Sequence, residues 1–157
     1  MYITVATLNC RGQTRLTVRK QLAIQDFIKT YDIDIIFLQE TNFNKETFSS
    51  CNFVKNNFSF VFNNAVNEYG TACLIKTSMS VSNVNFDSAG RVITLDCDNI
   101  TMCNVYPMSG TESVSCHDRE HLISAVLPNV LINKKECGIV GGDWNCIFIK
   151  TDCSSNP

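Results

Sequence analysis

Residues 2–10, YITVATLNC, alternate in polarity like a β-strand, and the pattern stops at RGQT. From Thr14 or Thr17 to about Tyr31 the spacing becomes helical. Leu16, Leu22, Ile24, Phe27 and Ile28 form an amphipathic stripe, and either threonine can cap it. IDIIFLQE at 33–40 is nearly continuous in apolar residues, as in a strand buried on both faces. Strand, helix and strand in succession predict a βαβ unit whose strands are parallel neighbours.

The texture then changes. NFVKNNFSFVFNNAVNEYGTACLIK reads as short strands broken by Asn and Gly. MSVSNVNF, GRVITLDCD and NITMCNVYP continue that pattern, with CDN as a tight turn between the last two. A second helix is predicted over about 118–133, with Leu122, Ile123, Val126 and Leu127 on its apolar side and Pro128 bending or interrupting it. CGIVGG is another buried strand. Together these elements predict a layered α/β architecture that mixes one parallel unit with an antiparallel meander. The pattern does not set the strand order.

Composition narrows the picture. The chain has 157 residues, 45% of them apolar, enough for one domain spanning 1–157 with a substantial core. A net charge of −2 gives no general attraction to polyanions. The local exception is RGQTRLTVRK, where Arg11, Arg15, Arg19 and Lys20 serve either as a solvated helix face or as a phosphate-facing rim. Nine cysteines occur without any CxxC, which excludes a zinc ribbon and a thioredoxin motif. Several lie in strand-like runs, where they act as small hydrophobes. With no signal-peptide pattern and no bilayer-long apolar run, a reduced intracellular protein is expected.

Candidate chemistry sits at the strand ends. In GIVGGDWNC, an extended backbone would put Asp143 and Asn145 on one face and Trp144 on the other. Gly141 and Gly142 allow close approach to the backbone. One fixed anion beside one amide suits holding a water or an oxyanion, and an Asx-rich turn is the plainer reading. Asn9 ends the first strand, Gln39 and Glu40 the second, and Tyr106 a later one. Taken singly, Asn9 is a turn residue, Glu40 a surface carboxylate and Tyr106 a core aromatic. Taken together they match the rule that ligands sit beyond the carboxyl ends of strands. A carboxylate closing IIFLQE needs a partner or a metal, and an all-oxygen donor set suits Mg²⁺ or Mn²⁺.

LNCRG, IIFLQET, NVYPMSG and GGDWNC, in this order, resemble the motifs of the endonuclease/exonuclease/phosphatase superfamily. GRVITLDC, DREHLISAVLPNVL and GGDWNCIFIKTDCSSN are most similar to the endonuclease domain of non-LTR (LINE-type) retrotransposons. The resemblance implies a four-layer αββα sandwich, here incomplete at the C-terminus. It also implies an Mg²⁺-dependent phosphodiester hydrolase that nicks DNA. Glu40 would be the principal metal ligand and Asn9 would organise the metal and phosphate side. Tyr106 would bond the scissile phosphate, Asp143 would position or deprotonate the attacking water, and Asn145 would stabilise the transition state. Asp152 matches an acidic position of the retrotransposon branch and is expected to be structural.

Two departures stand out. Arg11 occupies a position where many members carry an acid or amide metal contact, and a cation there fits phosphate better. The C-terminal Ser-Asp-His segment of the superfamily has no counterpart, so this chain is expected to be an N-terminal portion with little activity alone. Expected partners are DNA and a downstream reverse transcriptase domain of the same polyprotein, with no membrane and no small-molecule cofactor. The expected location is nuclear. Alternatives are a non-catalytic truncated remnant acting as a binding module, or a phosphatase, abasic-site, RNA or small-phosphoester hydrolase of the same superfamily.

HDREH at 117–121 fits the H-x-x-E-H pattern of inverted zinc peptidases, but a third ligand has no marked source. The preferred reading is a helix start whose Asp118 and Glu120 favour the dipole, with Arg119 facing either acid.

Overall fold

The computed structural model describes residues 2–13, 17–41, 47–48, 51–64, 70–110, 112–128 and 138–145. Strands β1 (Val5–Gln13) and β2 (Ile35–Thr41) flank helix α1 (Val18–Tyr31) in sequence. A short helix α2 (Asn52–Asn57) leads into β3 (Phe58–Asn63) and β4 (Gly70–Lys76). Strands β5 (Val81–Phe86), β6 (Val92–Cys97) and β7 (Ile100–Val105) follow as a meander. Helix α3 (Ser113–His121) runs directly into a π-helical turn at Leu122–Val126, and β8 is Gly138–Gly142.

The strands form two four-stranded sheets, ordered β1-β2-β4-β3 and β5-β6-β7-β8. β1 and β2 are parallel neighbours, in register from Val5 opposite Ile35 to Asn9 opposite Gln39, as the βαβ pattern predicts. A second parallel pair, β7 with β8, goes beyond the single parallel unit expected.

Apolar residues sort into three layers between four. Ile35, Phe37, Cys73 and Ile75 of the first sheet pack on Ile93, Leu95, Cys97 and Met102 of the second. The first sheet turns Ile36, Leu38 and Leu74 outward against Ile24 and Ile28 of α1 and Val54 of α2. The second packs Val92, Cys103 and Val105 against Leu122 and Leu127. This is the four-layer αββα sandwich, and each interface follows the period-2 alternation of its strands.

Several details differ from expectation. β1 does not stop at RGQT but continues to Gln13, with a register break after Asn9. Leu22 is 45% exposed. It lies two residues from Ile24, and residues two apart on a helix point about 200° apart, so they cannot share a face. Leu16 lies outside the described residues. Residues 52–57 are helical rather than extended, and this turn buries Val54 against α1.

α3 begins five residues before the expected 118, so HDREH lies within the helix and not at its start. The π-turn explains why Ile123 is exposed. Leu127 N–H donates to Leu122 O, five residues back, which brings Leu122 and Leu127 onto one face and turns Ile123 away. Pro128, with no N–H, follows immediately. The Val126 side chain and residues 129–133 lie outside the described part. CGIVGG is also not a buried strand. Among the described residues β8 pairs only with β7, and Val140 is 38% exposed.

Candidate active site

Four strand ends, those of β1, β2, β7 and β8, meet at one edge of the sandwich. Asn9 is the hub. Its Nδ2 donates to Glu40 Oε1 at 2.8 Å and to Asp143 Oδ2 at 2.7 Å, while its Oδ1 accepts from Arg11 N at 2.7 Å. Only one orientation of the amide satisfies all three partners, because the reverse would face an oxygen to two carboxylates and an NH₂ to an N–H. Arg11 takes a left-handed backbone, φ 54°, where the β1 ladder breaks.

Glu40 owes its direction to a β-bulge. β2 pairs Gln39 with Thr71 and Thr41 with Gly70, so Glu40 is an extra residue, and its φ is 51°. By simple alternation Glu40 would follow Ile36 and Leu38 toward α1. The left-handed bulge re-aims it to the strand ends.

Asp143 follows β8 directly. Its N–H donates to Val105 O at 3.2 Å, and its Oδ1 accepts from Asn145 N at 3.1 Å. The Asx turn and the polar site are therefore one structure. Asn145, with φ 48°, donates from Nδ2 to Pro107 O at 2.8 Å, and Trp144 packs on the outer core of the second sheet.

Tyr106 is nearly buried and hydrogen-bonds both Glu40 and Arg91. Burial raises its pKa above the ordinary tyrosine value. The Glu40 charge and hydrogen bond add to the rise, and Arg91 partly offsets it. The hydroxyl therefore stays protonated at neutral pH and acts as a donor. Arg91 sits 4.8 Å from the Tyr106 ring centroid, and its backbone is fixed by Asp87 Oδ1, which accepts from Arg91 N and Val92 N. The sequence reading missed Arg91. Its trace was a cation opening a fully buried strand, which must find a partner.

All five residues expected at the site, Asn9, Glu40, Tyr106, Asp143 and Asn145, thus share one connected edge. Of the basic patch, Arg11 adjoins Asn9, Arg19 is exposed in the first turn of α1, and Arg15 lies outside the described residues, as does Asp152. HDREH does other work. Arg119 faces neither neighbouring acid. Its Nη1 donates to Met108 O and Gly110 O, and Asp118 Oδ2 accepts from Met108 N, so both hold the loop after Tyr106. Among the described residues no group of three His, Cys, Asp or Glu side chains could hold a metal ion.

The described cysteines are free thiols, and burial pushes Cys10 and Cys103 up to about 12 and Cys97 to about 11. Cys10, Cys97 and Cys103 fill core space and are not thiolate ligands at neutral pH. Cys137, Cys146 and Cys153 lie outside the described residues.

No helix among the described residues is long and apolar enough to cross a membrane. No curated protein sequence matches the chain. Among solved structures, TDP2 from C. elegans superposes with a TM-score of 0.71 at 17% identity, covering 99% of this chain and 51% of its own. An AP endonuclease from Archaeoglobus fulgidus gives 0.71 at 17%, covering 98% and 62%. The 3′ phosphatase NExo from Neisseria, bound to product DNA hairpin, gives 0.71 at 19%, covering 96% and 60%. These likenesses show the fold, and the chain spans about half to two thirds of the length of those proteins. The sequence profile of the Endonuclease/Exonuclease/phosphatase family matches residues 6–153, nearly the whole chain, and to that family the protein belongs.

Proposed function

We propose that the protein is a divalent-cation-dependent phosphodiester hydrolase acting on DNA. The observation that carries this reading is the Asn9 amide holding the Glu40 and Asp143 carboxylates on either side of it, at 2.8 and 2.7 Å. Two carboxylates converging on one amide are suited to a hard cation, and their donor atoms are all oxygen. Glu40, with Asn9 beside it, would hold Mg²⁺ or Mn²⁺, and the ion would polarise a phosphoryl oxygen.

The chain's own groups supply the rest. Asp143, held by two backbone contacts, accepts a proton from the attacking water. Tyr106, whose hydroxyl proton is shared with Glu40 in this structure, would turn it to the phosphate once Glu40 holds the ion. Asn145 has one amide hydrogen on Pro107 O and keeps the other for developing negative charge. Arg11 and Arg19 provide sequence-independent attraction to the phosphate backbone.

The finer reading is a retrotransposon-type nickase working in the nucleus with a reverse transcriptase domain. It rests on GRVITLDC, DREHLISAVLPNVL and GGDWNCIFIKTDCSSN. Abasic-site cleavage or 3′-phosphate removal are the competing substrate classes, supported by the fold shared with an AP endonuclease and a 3′ phosphatase. The test incubates the purified chain, and a longer form of the protein, with Mg²⁺ and three substrates: supercoiled plasmid, an abasic duplex and a 3′-phosphorylated duplex. Plasmid nicking abolished by Glu40→Ala supports the reading. Preferential turnover of either oligonucleotide shifts the substrate class. Absence of Mg²⁺-dependent hydrolysis from both forms overturns the enzymatic reading and leaves a binding module. DNA binding that does not weaken with salt would remove the role of Arg11 and Arg19.

A further inference from the structure

We infer that Asn104 is a positioning residue. With Gln39 it forms a buried tier, a pair of amides directly beneath the site, joined at the rim by the exposed Thr7, and the three tie together the strands that lead to Asn9, Glu40 and Tyr106. The inference rests on the hydrolase reading for its consequence, but its geometry stands on separate contacts.

The cluster between the sheets is mainly apolar, built on Ile, Leu, Phe, Met and Cys, and Thr71 donates from β4 to Gly90 O. Into this cluster project two amides with no exposure at all, Gln39 from β2 and Asn104 from β7. Thr7 Oγ1 donates to Gln39 Oε1 at 3.2 Å, and Gln39 Nε2 donates to Asn104 Oδ1 at 2.8 Å. Asn104 Nδ2 then donates to Ala72 O at 2.9 Å and Leu38 O at 3.1 Å, both in the opposite sheet. A continuous line of bonds therefore runs from β1 through β2 to β7, with a branch to β4.

Each member is placed just before a site residue in sequence. Thr7 precedes Asn9 by two, Gln39 precedes Glu40 by one, and Asn104 precedes Tyr106 by two. Across the β7–β8 ladder the residue opposite Asn104 is Gly141, two before Asp143. A Cβ on Gly141 would meet the Phe37 ring at 3.0 Å, so the second sheet approaches closely at this level.

Dispersion contacts are non-directional and tolerate small slides between sheets, whereas hydrogen bonds of this length fix distance and angle. Replacing both partners of a buried polar pair by apolar groups can be nearly neutral for stability. The contribution of this tier then lies in geometry: it holds the bulge of β2 against the end of β7, where Glu40 meets Tyr106. Supporting shells of this kind set metal affinity and rate through the residues they orient.

The experiment uses the 157-residue chain and three variants, Asn104→Val, the pair Gln39→Leu with Asn104→Val, and Thr7→Val. Mn²⁺ affinity is read by water-proton relaxation, and amide hydrogen exchange is read at Glu40, Thr41 and Tyr106 relative to Ile36. In Asn104→Val and the double variant, Mn²⁺ affinity is expected to fall about 10- to 100-fold. Exchange is expected to rise at Glu40 and Thr41 but not at Ile36, with a smaller change in the same direction for Thr7→Val. Mn²⁺ affinity within twofold of the parent, together with unchanged exchange at Glu40 and Thr41, overturns the inference. If the parent itself binds no Mn²⁺, the hydrolase reading fails, and the exchange at Glu40 and Thr41 decides the positioning role alone. If both Asn104 variants fail to fold, an unaltered Thr7→Val counts against the inference, and a shifted one supports it.

Discussion

The site is delivered by two parallel strand pairs that differ in how they are held. β2 lies between β1 and β4, and its residues Ile35 to Leu38 are at most 1% exposed. Among the described residues β8 is an edge strand, with exposed and half-buried positions throughout. The buried strand can aim its carboxylate only by breaking its own alternation, through the left-handed bulge at Glu40. The edge strand needs no bulge, because Gly142 and the Asx turn that follows place Asp143 freely. A central strand lends rigidity and must spend a backbone irregularity to present a polar group, while an edge strand presents one readily and must anchor it afterwards. Trp144 and the Asn145–Pro107 bond are that anchor.

The sharpest way to break this comparison is chemical. Under the hydrolase reading, Asp143→Asn is expected to lower DNA hydrolysis by about 10²- to 10⁴-fold, as for loss of a general base. It should weaken Mn²⁺ binding less than Glu40→Gln does. If both variants lose Mn²⁺ equally, the division between an ion-binding strand and a proton-accepting strand is wrong. Next in size is the core. Phe37→Ala should destabilise by about 3–5 kcal/mol, against about 0.5 kcal/mol or less for Val140→Ala, measured by urea unfolding. Similar losses at the two positions would mean that β8 is as buried as β2.

Gly142→Ala should cost about 1–3 kcal/mol. Its φ is 147°, and an added Cβ would collide with Val105 O, so the β7–β8 register would have to shift. Near-UV spectra of Trp144 report that shift. The smallest effect lies at the other end of β2. Asp34 feels burial, which raises its pKa. The Thr4 N–H and the hydrogen bond and charge of Lys76 outweigh burial, leaving it below the ordinary 3.8. A depressed carboxylate adds stability above its unfolded value and loses it as pH falls through the folded value. Asp34→Asn should therefore cost about 1 kcal/mol near neutrality and flatten the acid limb below about pH 4, read from unfolding midpoints against pH.

Much of this was legible in the sequence because burial and alternation are local. IDIIFLQE announced a strand covered on both faces, and the polar groups closing four strands announced a shared edge. The bulge at Glu40 was not legible, since one extra residue in a ladder leaves no mark on composition. The π-turn was equally silent, and it moved the apolar stripe so that Ile123 faces out. Residues 52–57 read as strand because their asparagines suggested interruptions, yet burial of Val54 favoured a helical turn. Arg91 and Asn104 were overlooked because each is a polar residue in a largely apolar run, Arg91 just before β6 and Asn104 within β7. Their partners, Tyr106 for one and Gln39, Leu38 and Ala72 for the other, are distant in sequence and appear only when the sheets stack.

The hairpin at Asp98–Asn99 closes β6 and β7 at the end of the sandwich opposite Tyr106, with Asp98 and Ser80 exchanging backbone and side-chain hydrogen bonds. The six residues of β7 separate it from the chemistry, roughly 20 Å of extended chain. That pole is a handle: a fluorophore, an affinity label or an inserted loop grafted there leaves the opposite end undisturbed.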